Sequence, residues 1–190
     1  MNTKPDNKRQ YVTTFPSDYT VIDIETTGLS AVNNEIIELS ALKVRNDEVV
    51  EKFSTLIKPE NTISSFISNL TGITNNMVEK APKITEVLPE FTNFLKDDCI
   101  LGHNVNFDIK FICANLKKHF NQDLPNDYTD TMKLSRKYCK FPSHKLSFLA
   151  EKFGISTQGH HRALNDCIMT YEIYKKIKQT ASSEQLSMIS

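Results

Sequence analysis

From residue 19 to residue 25 the chain reads Tyr-Thr-Val-Ile-Asp-Ile-Glu, a β-rich apolar run whose acids stand only at its C-terminal end. A central strand covered on both faces has this pattern. Residues 35–45 and 48–58 are two more strand-like runs, and the Asn46-Asp47 pair between them is hairpin-turn chemistry. Three strands in succession predict an antiparallel half-sheet. After Pro59 the pattern turns helical, with a break at Thr71-Gly72. Val87, Phe91, Phe94 and Leu95 follow at helical spacing, and Pro89 inside that stripe is expected to start or kink the helix. Residues 99–101 predict a brief buried strand. Residues 105–120 predict a helix with Phe107, Ile109, Phe111, Ile112 and Leu116 mostly inward. A short strand near Tyr128 leads into helices over 132–138, 145–153 and 163–178. Strands first, then strands alternating with helices, specify an α/β domain with a mixed sheet. Residues 1–17 are polar with two prolines and are expected to form a mobile lead-in. Residues 180–190 lack helical periodicity and are expected to form a flexible tail, which leaves 18–179 as one domain.

Composition narrows the options by exclusion. The 190 residues carry 23 basic and 23 acidic side chains, so no overall positive field draws the chain to nucleic acid or to an anionic membrane. Any role on nucleic acid must rest on a local site. Cys99, Cys113, Cys139 and Cys167 are widely separated and form no C-x-x-C pair, which argues against a zinc site and for small buried hydrophobes. No stretch is long and apolar enough to span a bilayer, and the first ten residues lack a signal-peptide core, so no membrane partner and a cytoplasmic location are expected.

Three acidic motifs carry the candidate chemistry. In Asp23-Ile24-Glu25-Thr26-Thr27-Gly28 two carboxylates two residues apart on a strand point to one side. Their repulsion is relieved either by solvent at the strand end or by a hard cation such as magnesium or manganese. In His103-Asn104-Val105-Asn106-Phe107-Asp108, Asn104 is a candidate N-cap and Asp108 lies in a first helical turn, where the helix dipole alone would stabilise it. In His161-Arg162-Ala163-Leu164-Asn165-Asp166 a loop histidine precedes an acid early in the last helix.

Taken together and in this order, the motifs resemble the DEDDh family of 3′→5′ exonucleases, in particular the proofreading epsilon subunit of bacterial DNA polymerase III. The likeness runs from about residue 19 to residue 178. It implies a ribonuclease H-like mixed sheet flanked by helices, and a metal-dependent exonuclease that releases nucleoside 5′-monophosphates from DNA ends in replication proofreading or repair. By this resemblance Asp23, Glu25, Asp108 and Asp166 hold two divalent ions, Mg2+ or Mn2+. His161 is the catalytic base, chosen over His160 by its spacing to Asp166. Asp130 matches an aspartate that orients the site, although a simple N-cap explains it equally well.

For the substrate, the resemblance places Glu25, Thr26, Thr27 and Leu29 beside the terminal nucleotide, with Asn104 and Phe107 near them. Leu29 and Phe107 each have a core-packing alternative. The chain departs from the epsilon pattern at Thr71-Gly72-Ile73, where epsilon has His-Gly-Ile; threonine can donate a hydrogen bond there but carries no charge. Trimming of RNA is the alternative within the same chemistry, and a catalytically dead strand-end binding module is the alternative from another class. Partners implied are the 3′ end of DNA or RNA, a DNA polymerase subunit, and a sliding clamp gripping Gln185, Leu186 and Met188 through a Gln-Leu-Ser-Met-Ile segment.

Overall fold

The computed structural model describes residues 9–187, with side chains to residue 183. Strand β1 (Tyr19–Thr26) pairs antiparallel with β2 (Ile36–Arg45), and β2 with β3 (Glu48–Leu56). Asn46 and Asp47 both take left-handed φ, as a two-residue hairpin turn requires. Three helices follow: α1 (Ser65–Thr71), α2 (Asn75–Val78) and α3 (Ile84–Leu95). The chain then returns through β4 (Ile100–Gly102) to α4 (Asn106–Phe120), and through β5 (Tyr128–Asp130) to α5 (Thr131–Tyr138). Helices α6 (Leu146–Lys152) and α7 (Ala163–Ser187) complete it. The sheet order is β3-β2-β1-β4-β5, with β4 parallel to both β1 and β5. The apolar first strand therefore lies in the middle.

One core forms between the sheet, α3 and α4, around Ile22, Ile24, Phe91 and Phe111. A second forms against α7, around Tyr19, Val21, Tyr174 and Ile177, and a smaller third gathers Ile37, Ile67 and Ile73. Alternate residues of β1 thus enter opposite cores, as the period of two dictates. Pro89 neither starts α3 nor ends it. It sits on the exposed face, and the carbonyl its missing N–H would serve belongs to exposed Thr85, which water can reach.

Among the described residues both end segments differ from expectation, and residues 1–8 and 188–190 lie outside them. Residues 9–17 are tied down: Tyr128 N–H donates to the Gln10 carbonyl at 3.0 Å and Val12 N–H to the Tyr128 carbonyl at 2.7 Å. Without this strip β5 would present an unpaired edge. Phe15 packs against Tyr138 and Tyr174, and Tyr174 Oη donates to the Pro16 carbonyl. At the other end α7 does not stop near residue 178. Ile173, Ile177 and Ala181 bury successive turns of one face, and the serine hydroxyls hidden in an apparent tail bond back to carbonyls four residues earlier, Ser182 to Lys178 and Ser183 to Gln179. The backbone at Gln185 and Leu186 is helical rather than extended, and Met188 lies outside the described residues.

Phe91 is fully buried, with its ring 5.8 Å from that of Phe53. Phe91→Ala should cost about 3–5 kcal/mol by leaving a cavity between α3 and the sheet. Urea unfolding measures this, and a loss below about 1 kcal/mol would mean that the core closes over the gap.

Candidate active site

The parallel pairing of β1, β4 and β5 brings their C-terminal ends to one edge of the sheet. Asp23 and Glu25 leave β1 there on one side. Asp108 reaches them from the first turn of α4, and Asp166 from the first turn of α7. Carboxylate oxygens of Asp23, Glu25 and Asp166 lie within 4.8 Å of one another. Asp108 is 4% exposed and accepts the Ile24 N–H at 3.1 Å, which fixes it behind the strand between the two β1 acids. The sequence motifs, far apart in the chain, thus meet at one point.

Such crowding is electrostatically costly. Burial, reinforced by Asp108 and Asp166, holds the Asp23 carboxyl well above the usual carboxylate range. Burial and then Asp166 and Glu38 push Glu25 up to about 8. Asp108 is likewise raised by burial, to about 8, although backbone N–H donors oppose the shift. Asp166 is raised by burial against the opposing pull of His160. A divalent cation offers what this oxygen-only set lacks, a compensating charge, and hard oxygen donors within a few ångströms of one another suit magnesium or manganese.

The histidines divide the edge between them. His160 Nδ1 lies 2.9 Å from Asp166 Oδ1, and the His161 ring stacks on His160 with centroids 3.9 Å apart. His161 has φ 66°, a left-handed conformation uncommon outside glycine and asparagine. Burial and the neighbouring His160 lower its pKa, so it is neutral near pH 7. His160, His161 and Asp166 also bring ligand atoms within 4.8 Å of one another.

Two residues that the motif reading missed hold this loop. Glu38 stands opposite Glu25 in the β1–β2 register and is 3% exposed. It accepts Arg162 Nη2 at 2.8 Å and Nε at 3.1 Å, and also the Ala163 N–H at 2.9 Å. A strand residue therefore caps the start of α7. The signal was available as a lone acid in the apolar run Ile-Ile-Glu-Leu-Ser-Ala-Leu, since carboxylates are seldom buried unpaired.

The remaining candidates separate. Thr26 Oγ1 donates to the Gly28 carbonyl at 2.6 Å, and Thr27 Oγ1 accepts the Glu35 N–H at 2.9 Å, so both hydroxyls shape the turn. A Cβ at Gly28 would meet the Asn34 side chain at 2.7 Å, so a substitution there would displace Asn34. Leu29 is 88% exposed at the tip, which overturns its core-packing alternative. Phe107, by contrast, packs against the α3–α4 core with its ring 5.0 Å from Phe111. Asn104 is not the N-cap of α4. Its φ is 59°, its own N–H donates to Asp130 Oδ1, and Val105 precedes the helix. Asp130 caps α5 by accepting the Met132 N–H, the simpler reading of it, and also accepts the Asn104 N–H. Thr71 is buried: its hydroxyl donates to the Ile67 carbonyl and accepts the Ile73 N–H, so it closes α1 rather than offering a donor to a nucleotide.

This acid-rich edge on a five-stranded mixed sheet is the arrangement of a nuclease. Residues 20–174 match the RNase T exonuclease family, and the chain belongs to that family. It is 44% identical over 161 residues to a PolC-type DNA polymerase III of Caldanaerobacter subterraneus, covering 84% of this chain but only 11% of that much longer protein. It is 41% identical over 180 residues to the DNA polymerase III epsilon subunit of Aquifex aeolicus, covering 93% of this chain and 88% of the relative. The structure of exonuclease X bound to 5′-overhanging duplex DNA superposes with a TM-score of 0.70 at 27% identity, over 86% of this chain and 93% of that one. The ribonuclease H-like fold expected from the motifs is therefore the fold found. Among the described residues no helix is long and apolar enough to cross a membrane.

The raised carboxyl pKa values have a consequence for stability. Between about pH 4, where unfolded carboxyls titrate, and about pH 8, the folded chain without metal binds more protons than the unfolded chain. This group's contribution is therefore most favourable at the acid end and is lost as pH rises toward 8. Asp23→Asn should raise the metal-free Tm at pH 8 and flatten the trend. Thermal melts in chelator from pH 5 to 8 check it, and a wild-type Tm that rises across the window with no gain from the substitution would contradict it.

Proposed function

We propose that the chain is a divalent-metal-dependent 3′→5′ exonuclease that removes nucleoside 5′-monophosphates from DNA ends in replication proofreading. The observation that carries this reading is the meeting of Asp23, Glu25 and Asp166 oxygens within 4.8 Å at a half-buried strand end, in a chain of the exonuclease family. Asp23, Glu25 and Asp166 would hold one ion, and Asp23 with Asp108 a second. Such ions, when bound, supply Lewis-acid activation of water and neutralise charge on the phosphate and the leaving oxygen.

The chain's own groups do the rest. An imidazole nitrogen of His161 takes the proton of the attacking water, a role suited to a neutral ring at pH 7. His160 is less suited, because its Nδ1 is already engaged with Asp166. Thr26 Oγ1 donates its proton to Gly28, so the 3′-hydroxyl of the strand would donate to that oxygen rather than accept from it. Leu29, exposed at the turn, offers an apolar wedge for the last base, and the Asn104 side chain is exposed as well. DNA is favoured over RNA because the relatives named above are DNA polymerase III proteins. A polymerase partner is proposed on the same ground. A dead binding module is disfavoured, since nothing but chemistry rewards keeping these charges together.

Asp23→Ala or Asp166→Ala should abolish release of monophosphate from a 5′-labelled DNA strand while leaving the fold intact. Full activity in either variant, or in chelator, would remove the metal mechanism. His161→Ala should lower turnover by roughly 10²–10⁴-fold with little change in substrate affinity, and His160→Ala far less. Steady-state kinetics decide between the two rings, and reversed phenotypes would transfer the base to His160. A strand ending in a 3′-phosphate should resist digestion under conditions that consume its 3′-hydroxyl counterpart, and equal digestion of both would remove the proposed grip on the terminal hydroxyl.

A further inference from the structure

The chain as a whole is neutral, yet residues 131–150 hold four lysines, one arginine and one histidine with no acid among them. Charges in a neutral chain are usually interspersed, and such a block creates a local positive field where the molecule has no global one. Lys133 is engaged over the rings of Tyr11 and Tyr128. Arg136, Lys137, Lys140 and Lys145 are more exposed, Lys137 lying over the ring of Tyr138, and none is in an ion pair among the described residues.

The fold places this block beside the acidic edge. It begins where β5 ends level with β4, as Asp130 pairs with Gly102, and Thr131 Oγ1 lies 2.8 Å from His103 Nδ1. After α5 the chain turns back, and His144 Nδ1 closes on Ser135 Oγ at 2.9 Å, which pins the loop to the helix. Burial lowers the pKa of His103 to about 4, with Asp130 opposing the fall and Arg136 adding to it, so the Arg136 charge reaches the loop that carries Asn104 and Asp108. A cluster of carboxylates repels a polyanion. A strand whose end must enter it needs cations along the approach, and this block is an exposed run of them adjoining it.

We propose that Arg136, Lys137, Lys140 and Lys145 form a track for the backbone phosphates of the DNA strand upstream of its terminal nucleotide. This rests on the exonuclease reading but adds a surface that the reading does not need. The track gives affinity that rises with the number of phosphates it meets and no sequence preference, because it meets phosphates alone. It also explains how a neutral protein holds a polyanion at an acidic site.

The test is the triple variant Lys137→Gln, Lys140→Gln, Lys145→Gln of the full chain. Fluorescence anisotropy with a labelled twenty-nucleotide oligothymidylate measures affinity at several salt concentrations. Turnover of the p-nitrophenyl ester of thymidine 5′-monophosphate, which has no upstream phosphates, is measured beside it. The variant should bind the oligonucleotide about tenfold or more weakly at low salt, and its slope of log affinity against log salt should shrink by about two, near 0.7 per lost contact. Ester hydrolysis should stay within about twofold. Unchanged affinity and slope overturn the track, and so does an equal loss on the ester, which would mean the substitutions disturb the site. If the wild type cleaves neither substrate, the exonuclease reading fails while the binding comparison still decides the track.

Discussion

Like charges held together in an apolar setting govern this molecule. Asp23 and Glu25 end a strand that enters both larger cores, so they cannot move apart without unpairing the centre of the sheet. Everything near them answers that repulsion: Asp108 takes a backbone N–H, Asp166 takes His160, and Glu38 is matched by Arg162. Burial, Asp166 and Glu38 push the Glu25 pKa up to about 8, with the Arg162 charge opposing. The acids that lack enough protein donors are those expected to meet a cation, unlike Glu38, a more deeply buried carboxylate already satisfied by four donor contacts.

Much of this was legible in the sequence because it depends on local pattern. The two-sided apolar run at residues 19–25, the Asn46-Asp47 turn and the helical stripe ending at Leu95 each follow from short-range periodicity and turn chemistry. The four carboxylates were found because their motifs and order resemble one family. What escaped depends on partners distant in the chain. Glu38 is intelligible only once β2 lies under the start of α7, and the 9–17 strip only once β5 proves to be an edge. Serines hid the end of α7, since their low helix propensity masked a face that Ala181 continues. Thr71 shows the reverse case: a residue aligned with a nucleotide contact turns inward because the helix end claims its hydroxyl first.

Electroneutrality, read from composition alone, said little about substrate. The structure gives it meaning by showing where the two signs collect, acids at the strand ends and an acid-free basic block joined to that edge through Thr131 and His103. A field that changes sign over a short distance orients a polyanion without binding it tightly along its length, and salt weakens it quickly. A nuclease that must release and re-engage a shortening strand is served by that balance.

Helix α7 is clamped at both ends of its buried stretch. At its start Glu38 holds Arg162 and Ala163; farther along, Lys178 Nζ meets Asp47 at 2.7 Å and Tyr171 Oη donates to the Asp47 carbonyl at 2.8 Å. Both anchors belong to the β1–β2–β3 hairpins, so helix and sheet share one mechanical frame. A helix advances about 1.5 Å per residue, and slippage by even one step would draw Asp166 out of reach of Asp23 and Glu25. The tight β2–β3 turn, at the far end of the sheet from the acids, therefore acts as the tail-stop that sets how closely the last carboxylate approaches the others.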